Sequence, residues 1–300
     1  MFTGGSGLLA LNWANLICND FDVVLGFHER VLNLTGVESL SINLESEKEF
    51  LKCVNRVKPD CIVHTAGMTN VDKCESFPEI ANKINFEAAK LVSDVCLKNN
   101  INLIFISTDH LFDGTIPNVS ENHIKNPLNC YGHTKSLGED FVIKNNPNAL
   151  IIRTNFFGWG TSYRRSFSDF VIDNLRLGNA ITLFKDVFYT PILIDDLVDI
   201  IMKLYFNKAV GVFNVVGNNR ISKLDFGKEV AKVFGLNLNL INEGSIADNT
   251  SLVVRPKDLS LSNSKVKNYL KIEINNLTEQ LSELRIKELE KFSNLSSTTL

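Results

Sequence analysis

Between Phe2 and Thr154, short apolar runs of β character alternate with longer segments of helical character, and few architectures accept that pattern. The β-type runs are a Phe2-Thr3 stub, Asp22–Phe27, Ser39–Leu44, Asp60–Thr65, Asn102–Ser107 and Ala149–Thr154. The helical segments are Leu8–Asn19, Glu47–Val57, Pro78–Asn99 and Tyr131–Asn145. Strands this rich in Ile, Val, Leu and Phe are apolar on both faces, so both faces need cover. Helices between consecutive strands supply it, which predicts an α/β fold with a parallel sheet. Right-handed crossovers make that sheet doubly wound, of Rossmann type. The second half is less regular. Helices are expected at Ser168–Gly178, within Ile192–Phe206 from Asp195 or Asp196 as cap, after Ser222, and at Thr278–Phe292. Ser222 has the chemistry of an N-cap, with Asp225 three residues on. Gly211–Val216 reads as a strand rejoining the sheet. The expected division is a core at 1–155, a smaller lobe at 156–292 and a frayed tail at 293–300.

The loop Thr3-Gly4-Gly5-Ser6-Gly7-Leu8-Leu9-Ala10 stands between the first strand and the first helix. Gly4, Gly7 and Ala10 are small residues spaced three apart. One glycine lets the backbone turn out of the strand, the next lets it approach phosphates, and a third small residue lets the helix pack close. The helix N-terminus then offers free N–H groups to a pyrophosphate. At the end of the second strand, His28, Glu29 and Arg30 are placed to read an adenosine ribose. Glu29 suits the diol of NADH; His28 or Arg30 suits the 2′-phosphate of NADPH, and Arg30 tilts the balance toward NADPH. Only Met1 and Phe2 precede Thr3, where a central strand takes about five residues. Buried neighbours without partners cost about 1–3 kcal/mol each, so the native start is expected upstream, or lost.

Net charge is −3 with no long block of one sign, which argues against a nucleic-acid or polybasic membrane surface. No apolar run is long enough to span a bilayer. The first basic residue is Arg30, so the start lacks the basic region of a signal peptide. Cys18, Cys53, Cys61, Cys74, Cys96 and Cys130 are scattered without a C-x-x-C. They read as reduced thiols of a cytoplasmic protein rather than metal ligands.

The richest chemistry is in NCYGHTKSLGED. Tyr131 and Lys135 are four apart at a helix start, hence on one face. A free phenol has a pKa of about 10; a neighbouring ammonium favours its ionised form. A tyrosine so tuned can give a proton to a carbonyl that is being reduced. The pair follows Ser107-Thr108-Asp109, at the carboxyl end of an expected parallel strand, where such sheets hold ligands.

The glycine loop, STDHLFDG (Ser107 to Gly114), YGHTK (Tyr131 to Lys135) and RPKDLSLSNSK (Arg255 to Lys265) occur in that order. With TAGMTNVDKCE and INFEAAKLVSDVC they resemble the extended short-chain dehydrogenase/reductases. Within these the chain is most similar to the dTDP-4-dehydrorhamnose reductase family, and also to the regulatory β subunit of methionine adenosyltransferase. The resemblance covers roughly residues 3 to 290. It implies a catalytic set of Thr108, bonding the substrate's keto oxygen, Tyr131 as general acid, and Lys135 on the nicotinamide ribose. It implies a cofactor, NADPH or NADH, held by Gly4, Gly7, Leu8, His28, Glu29, Arg30, Ala66 and Gly67 together with Tyr131 and Lys135. Asn85 would brace the sheet near the site. Thr108, Asp109, Phe156 and Arg255 would meet a nucleotide-sugar substrate, and a homodimer is implied.

Each of these residues also has a plainer reading. Thr108 can cap a turn, Asp113-Gly114 can be a tight turn, and His64 and His110 can be packing residues. The chain departs from the family at Ala10 (usually Gly), at His110 (usually Tyr) and near Phe156 (usually Trp). An acidic pair after the threonine marks the dehydratases; here Asp109 is followed by His110, which disfavours dehydration. The reading is an NAD(P)H-dependent reductase of a 4-keto nucleotide-sugar such as dTDP-4-dehydro-L-rhamnose. The alternatives are a non-catalytic NADP-binding regulatory subunit, a sugar-nucleotide epimerase, or a remnant that binds nothing.

Overall fold

The computed structural model describes residues 1–249, 252–290 and 295–296. The apolar runs form one seven-stranded sheet. Its strands are β1 (Phe2–Thr3), β2 (Val23–Phe27), β3 (Val37–Ser41), β4 (Cys61–His64), β5 (Asn102–Ile106), β6 (Leu150–Arg153) and β7 (Gly211–Asn214). Every neighbouring pair is parallel. The order is β7-β6-β5-β4-β1-β2-β3, so the winding reverses between β1 and β4. Sheets of this kind hold ligands beyond the carboxyl ends at that reversal.

The strands alternate between two cores, as a period of two requires. Val23, Leu25, Phe27, Ile104, Ile106, Leu150 and Ile152 face one, shared with α1 (Leu8–Ile17) and α6 (Ile194–Phe206). Val24, Leu103, Phe105 and Ile151 face the other, shared with α2 (Glu47–Val57), α3 (Ala88–Lys98) and α4 (Cys130–Asn145). Trp13 of α1 is fully buried and meets Phe2 edge-on at 5.4 Å.

Although β1 is short, its flanks carry the pairing on. The Met1 ammonium donates to the Cys61 carbonyl at 2.9 Å, and the Met1 carbonyl accepts from the Val63 N–H at 2.9 Å. On the other side the Gly5 N–H donates to the Gly26 carbonyl at 2.8 Å. Burial lowers the pKa of that ammonium.

Several boundaries differ from expectation. The third strand is Val37–Ser41 rather than Ser39–Leu44, because pairing with β2 starts directly after the turn at Gly36, φ +79°. The helix expected at Pro78–Asn99 is broken. A helical turn at Val71–Ser76 precedes it, and Pro78–Asn82 passes into a π-helical turn at Lys83–Glu87 before α3. Such turns re-aim one side chain, often near a site. Here Asn85 accepts the Met68 N–H at 2.8 Å and donates to the Met68 carbonyl and to Thr134, each at 3.1 Å. Neither Asp195 nor Asp196 caps α6. Ile192–Leu193 pairs with Phe156–Phe157, and the helix starts at once, with the Leu193 N–H held by Gln280.

A third core gathers α5 (Phe167–Arg176), α7 (Lys223–Phe234) and α8 (Leu277–Ile286) around Phe157, Trp159, Leu183 and Phe226. Ser222 caps α7 as expected, accepting the Asp225 N–H at 3.0 Å. The last helix ends at Ile286 and tightens into a 3-10 turn at Lys287–Glu290; 291 and 292 lie outside the described residues. Of the expected tail, Leu295–Ser296 pair antiparallel with Asn33–Leu34, and the rest lies outside the described residues.

One buried ionic network ties sheet to helix. Glu139 of α4 accepts from Arg153 at 2.7 Å, Ser107 at 2.5 Å and Lys125 at 3.2 Å. Burial alone would raise the Glu139 pKa, but Arg153, Lys125 and Ser107 hold it below the ordinary carboxylate value. Breaking such a buried pair strands a charge. Glu139→Ala is therefore expected to cost about 3–5 kcal/mol in urea denaturation. A depressed folded pKa gives stability that is present above the unfolded value and lost as pH falls through the folded one. The acid branch of melting temperature against pH should accordingly be steeper for the wild type than for Glu139→Gln.

Candidate active site

A cleft of about 1120 Å³ runs along the carboxyl edge of the sheet. The loop from β1 to α1 forms one end. Gly4 has φ +71°, and a Cβ there would lie 2.7 Å from the Ala66 Cα. The Gly7 N–H closes the turn onto the Gly4 carbonyl at 2.9 Å. Ala10 is fully buried, so its small side chain suits the close packing of α1. At its N-terminus, α1 has no side-chain cap and no acidic residue in its first turn. Its leading N–H groups are thus left for an anion.

Other strand ends add the rest. His28, Glu29 and Arg30 follow β2; Thr65, Ala66 and Gly67 follow β4; Ser107, Thr108, Asp109 and His110 follow β5; all line the cleft. Tyr131 and Lys135 of α4 complete the wall, with Leu8 and Phe156. Asn129 caps α4 by accepting the Gly132 N–H at 3.0 Å. Gly132 has no room for a Cβ, which would stand 2.3 Å from the His110 carbonyl. This close approach brings the strand-end Thr108 to the helix-borne Tyr131.

The electrostatics follow from burial. The Tyr131 phenol is raised above its ordinary pKa by desolvation, eased by the Thr108 hydroxyl beside it. The Thr108 hydroxyl itself donates to Asp109 Oδ1 at 3.2 Å. The Thr108 hydroxyl also accepts the His110 N–H at 3.2 Å. Lys135 is pulled down to about 8 by burial, against the pull of Glu139. Its ammonium donates to the Ile106 carbonyl at 2.8 Å and lies 4.7 Å from the Phe105 ring centroid. Lys135 is thus a ligand of the sheet end here, and burial outweighs any lowering of the Tyr131 pKa by it. His64 lies behind the loop, bonded to Thr3 at 2.8 Å and lowered to about 3 by burial. The His110 ring meets Tyr131 edge-on at 5.3 Å.

Arg255 does not line the cleft. It pairs with Asp72 at 2.5 Å, and its other guanidinium nitrogen is buried without a hydrogen-bond partner among the described residues. The site also contains residues that sequence reasoning missed: Thr69, Lys73, Lys83, Thr154, Asn155 and the run Tyr163–Phe167. The run had a signal, since SYRRSF puts aromatic and basic residues in a loop just before a helix cap.

The model of the RmlD substrate binding domain matches residues 1–290. The chain belongs to that family. Among curated RmlD-type relatives, a probable low-salt glycan biosynthesis reductase of Haloferax volcanii is 28% identical, over 98% of each chain. A dTDP-4-dehydrorhamnose reductase of Aggregatibacter actinomycetemcomitans is 23% identical over 95% of this chain and 97% of its own. The methionine adenosyltransferase 2 subunit beta of Xenopus laevis is 29% identical, over 65% of this chain and 60% of its own. Among solved structures, a hypothetical dTDP-4-dehydrorhamnose reductase from Sulfolobus tokodaii superposes with TM-score 0.82 at 29% identity, over 93% and 97% of the two chains. The Bacillus anthracis dTDP-4-dehydrorhamnose reductase in complex with NADP gives TM-score 0.85 at 23% identity, over 95% and 98%.

The glycine loop can be tested by a pair of substitutions. Gly178 has φ +75° with nothing near a Cβ. There Gly178→Ala should cost about 1–2 kcal/mol for the left-handed backbone alone. Gly4→Ala adds a clash with the Ala66 backbone and should cost measurably more, read as a lower denaturant midpoint at unchanged slope.

Proposed function

We propose that this RmlD-family chain is an NAD(P)H-dependent reductase of a 4-keto nucleotide-sugar, with dTDP-4-dehydro-L-rhamnose or a close relative as substrate. The observation that carries this reading is the meeting of Thr108, Tyr131 and Lys135 in the cleft that the glycine loop opens. The residues present fit a dinucleotide. The bare N-terminus of α1 and the Gly4 turn suit its pyrophosphate, Ala66 and Gly67 leave its cleft open, and Lys135 is the donor for its nicotinamide ribose. When bound, the reduced nicotinamide supplies the hydride for the carbonyl carbon.

The chain's own part is proton supply and orientation. The raised pKa keeps the Tyr131 phenol protonated at neutral pH, as a donor to a reduced carbonyl oxygen must be. Thr108 orients that oxygen with a second hydrogen bond. Asp109, bonded to Asn155, and Phe156 stand where the sugar enters. The relatives' names support a reductase of this substrate class.

The decisive test is turnover of NADPH by the purified chain with a dTDP-4-keto-6-deoxy sugar. Tyr131→Phe should lower kcat by about 10²–10⁴-fold while cofactor affinity, read by nicotinamide fluorescence, changes little. Loss of both in a folded variant would count against Tyr131 as the acid. Lys135 acts as an ammonium, and its proton is lost as pH rises through about 8. The kcat/KM for cofactor should therefore fall above that pH, since this ratio reports the free enzyme. A second reading draws on the subunit beta relative: a non-catalytic NADP-binding regulatory subunit. It predicts saturable NADPH binding with no turnover of any 4-keto nucleotide-sugar, even in a single-turnover experiment.

A further inference from the structure

The residue after Asp109 is held firmly by its backbone. The His110 N–H donates to the Thr108 hydroxyl at 3.2 Å. Its carbonyl lies against the first turn of α4, where a Cβ on Gly132 would come within 2.3 Å of it. The side chain is placed as a result. His110 lines the cleft, and its ring meets the Tyr131 ring edge-on, with 5.3 Å between centroids and 73° between planes. Phenylalanine would make that contact equally well. Imidazole brings two nitrogens to it, and one is stranded. Nδ1 is shut off from solvent and has no hydrogen-bond partner among the described residues.

The stranded nitrogen fixes the tautomer. Burial holds the His110 pKa below its ordinary value, against the charge of Asp109. The ring is therefore neutral at pH 7, with one nitrogen a donor and the other an acceptor. A buried N–H without an acceptor is the costlier way to fill the Nδ1 position. The proton accordingly belongs on Nε2, the nitrogen left to face the cleft. A neutral imidazole thus offers a hydrogen-bond donor beside the Tyr131 phenol and the Thr108 hydroxyl.

We propose that His110, through its Nε2–H, donates a hydrogen bond to the substrate hydroxyl next to the reacting carbonyl, and so selects 4-keto sugars that carry a C3 hydroxyl. The inference rests on the reductase reading above. In a 4-keto-6-deoxy sugar, C4 has two carbon neighbours. C5 carries the methyl group and the ring oxygen; C3 carries a hydroxyl. With Tyr131 and Thr108 on the C4 oxygen, C3 is the neighbour that gives a further donor an acceptor. The family usually carries tyrosine at this position, and the exchange for imidazole sets the reach and direction of the donor. A sugar without the C3 hydroxyl leaves that donor unpaired, which is how a site built for a hydroxyl rejects the analogue lacking it.

Two measurements test this. Long-range proton–nitrogen spectra of the full chain with isotope-labelled histidine should show His110 neutral and protonated at Nε2 at pH 7, its signals assigned by their loss in His110→Phe. A ring protonated at Nδ1 would overturn the donor. Turnover of NADPH is then compared between a dTDP-4-keto-6-deoxy sugar and its 3-deoxy counterpart. The wild-type chain should favour the C3 hydroxyl by at least about tenfold in kcat/KM. His110→Phe, which keeps the ring against Tyr131, should bring the ratio near one. His110→Gln, which keeps an N–H donor, should recover part of it. A ratio near one in the wild type, or a full ratio kept in folded His110→Phe, would overturn the inference and leave the reductase reading standing. Turnover of neither sugar by the folded wild-type chain would overturn the reductase reading and the inference with it.

Discussion

Parallel pairing is the constraint on which everything else in this molecule depends. Parallel strands cannot be joined by tight turns, so each must return across a face of the sheet. Helices therefore cover both faces, and every strand delivers its carboxyl end to the same edge. The glycine loop, Arg30, Ala66, Thr108 and Phe156 are far apart in sequence, yet each follows a strand or lies just beyond one. They meet because β1 lies between β2 and β4, with the winding reversed beside it. The shortness of β1 matters less than its place: Met1 and Gly5 continue its hydrogen bonding into the flanks.

On that edge, one face of α4 does three jobs. Tyr131, Lys135 and Glu139 recur every four residues and so share a face. Glu139 anchors the helix to Ser107 and Arg153 at the ends of two strands. Lys135 bonds the carbonyl of Ile106, and Tyr131 reaches Thr108. A buried ammonium and a buried phenol are costly to ionise, which lowers one pKa and raises the other. The result is a phenol held protonated on the same helix face as an ammonium lowered to about 8, with the Glu139 ion network at the next turn.

Much of this was legible in the chain itself. The strands alternate between two apolar cores, so their type and number followed from composition and period. The glycine spacing marked the turn at Gly4 and the uncapped start of α1, and the four-residue spacing of Tyr131 and Lys135 put both on one wall. What was not legible was contact between distant segments. The π-helical turn at Lys83–Glu87 arises because Asn85 must reach the Met68 backbone and Thr134. Arg255 was expected at the substrate, but Asp72 takes it, a partner 183 positions away in sequence. The SYRRSF run announced a helix cap at Ser166, but nothing local tied Tyr163 to Ser6 and Arg30, more than 130 positions away.

The division has a physical reason. Backbone hydrogen bonding and burial of apolar side chains act locally and periodically, so the sequence alone determined a doubly wound sheet, its glycine loop and the placing of Tyr131 and Lys135 on one helix face. Charge and hydrogen-bond partners are chosen by position in space, after the chain has folded. Which carboxylate neutralises Arg255, which way burial moves the Tyr131 and Lys135 protons, and which ring the Arg30 guanidinium stacks on were decided only by the tertiary structure.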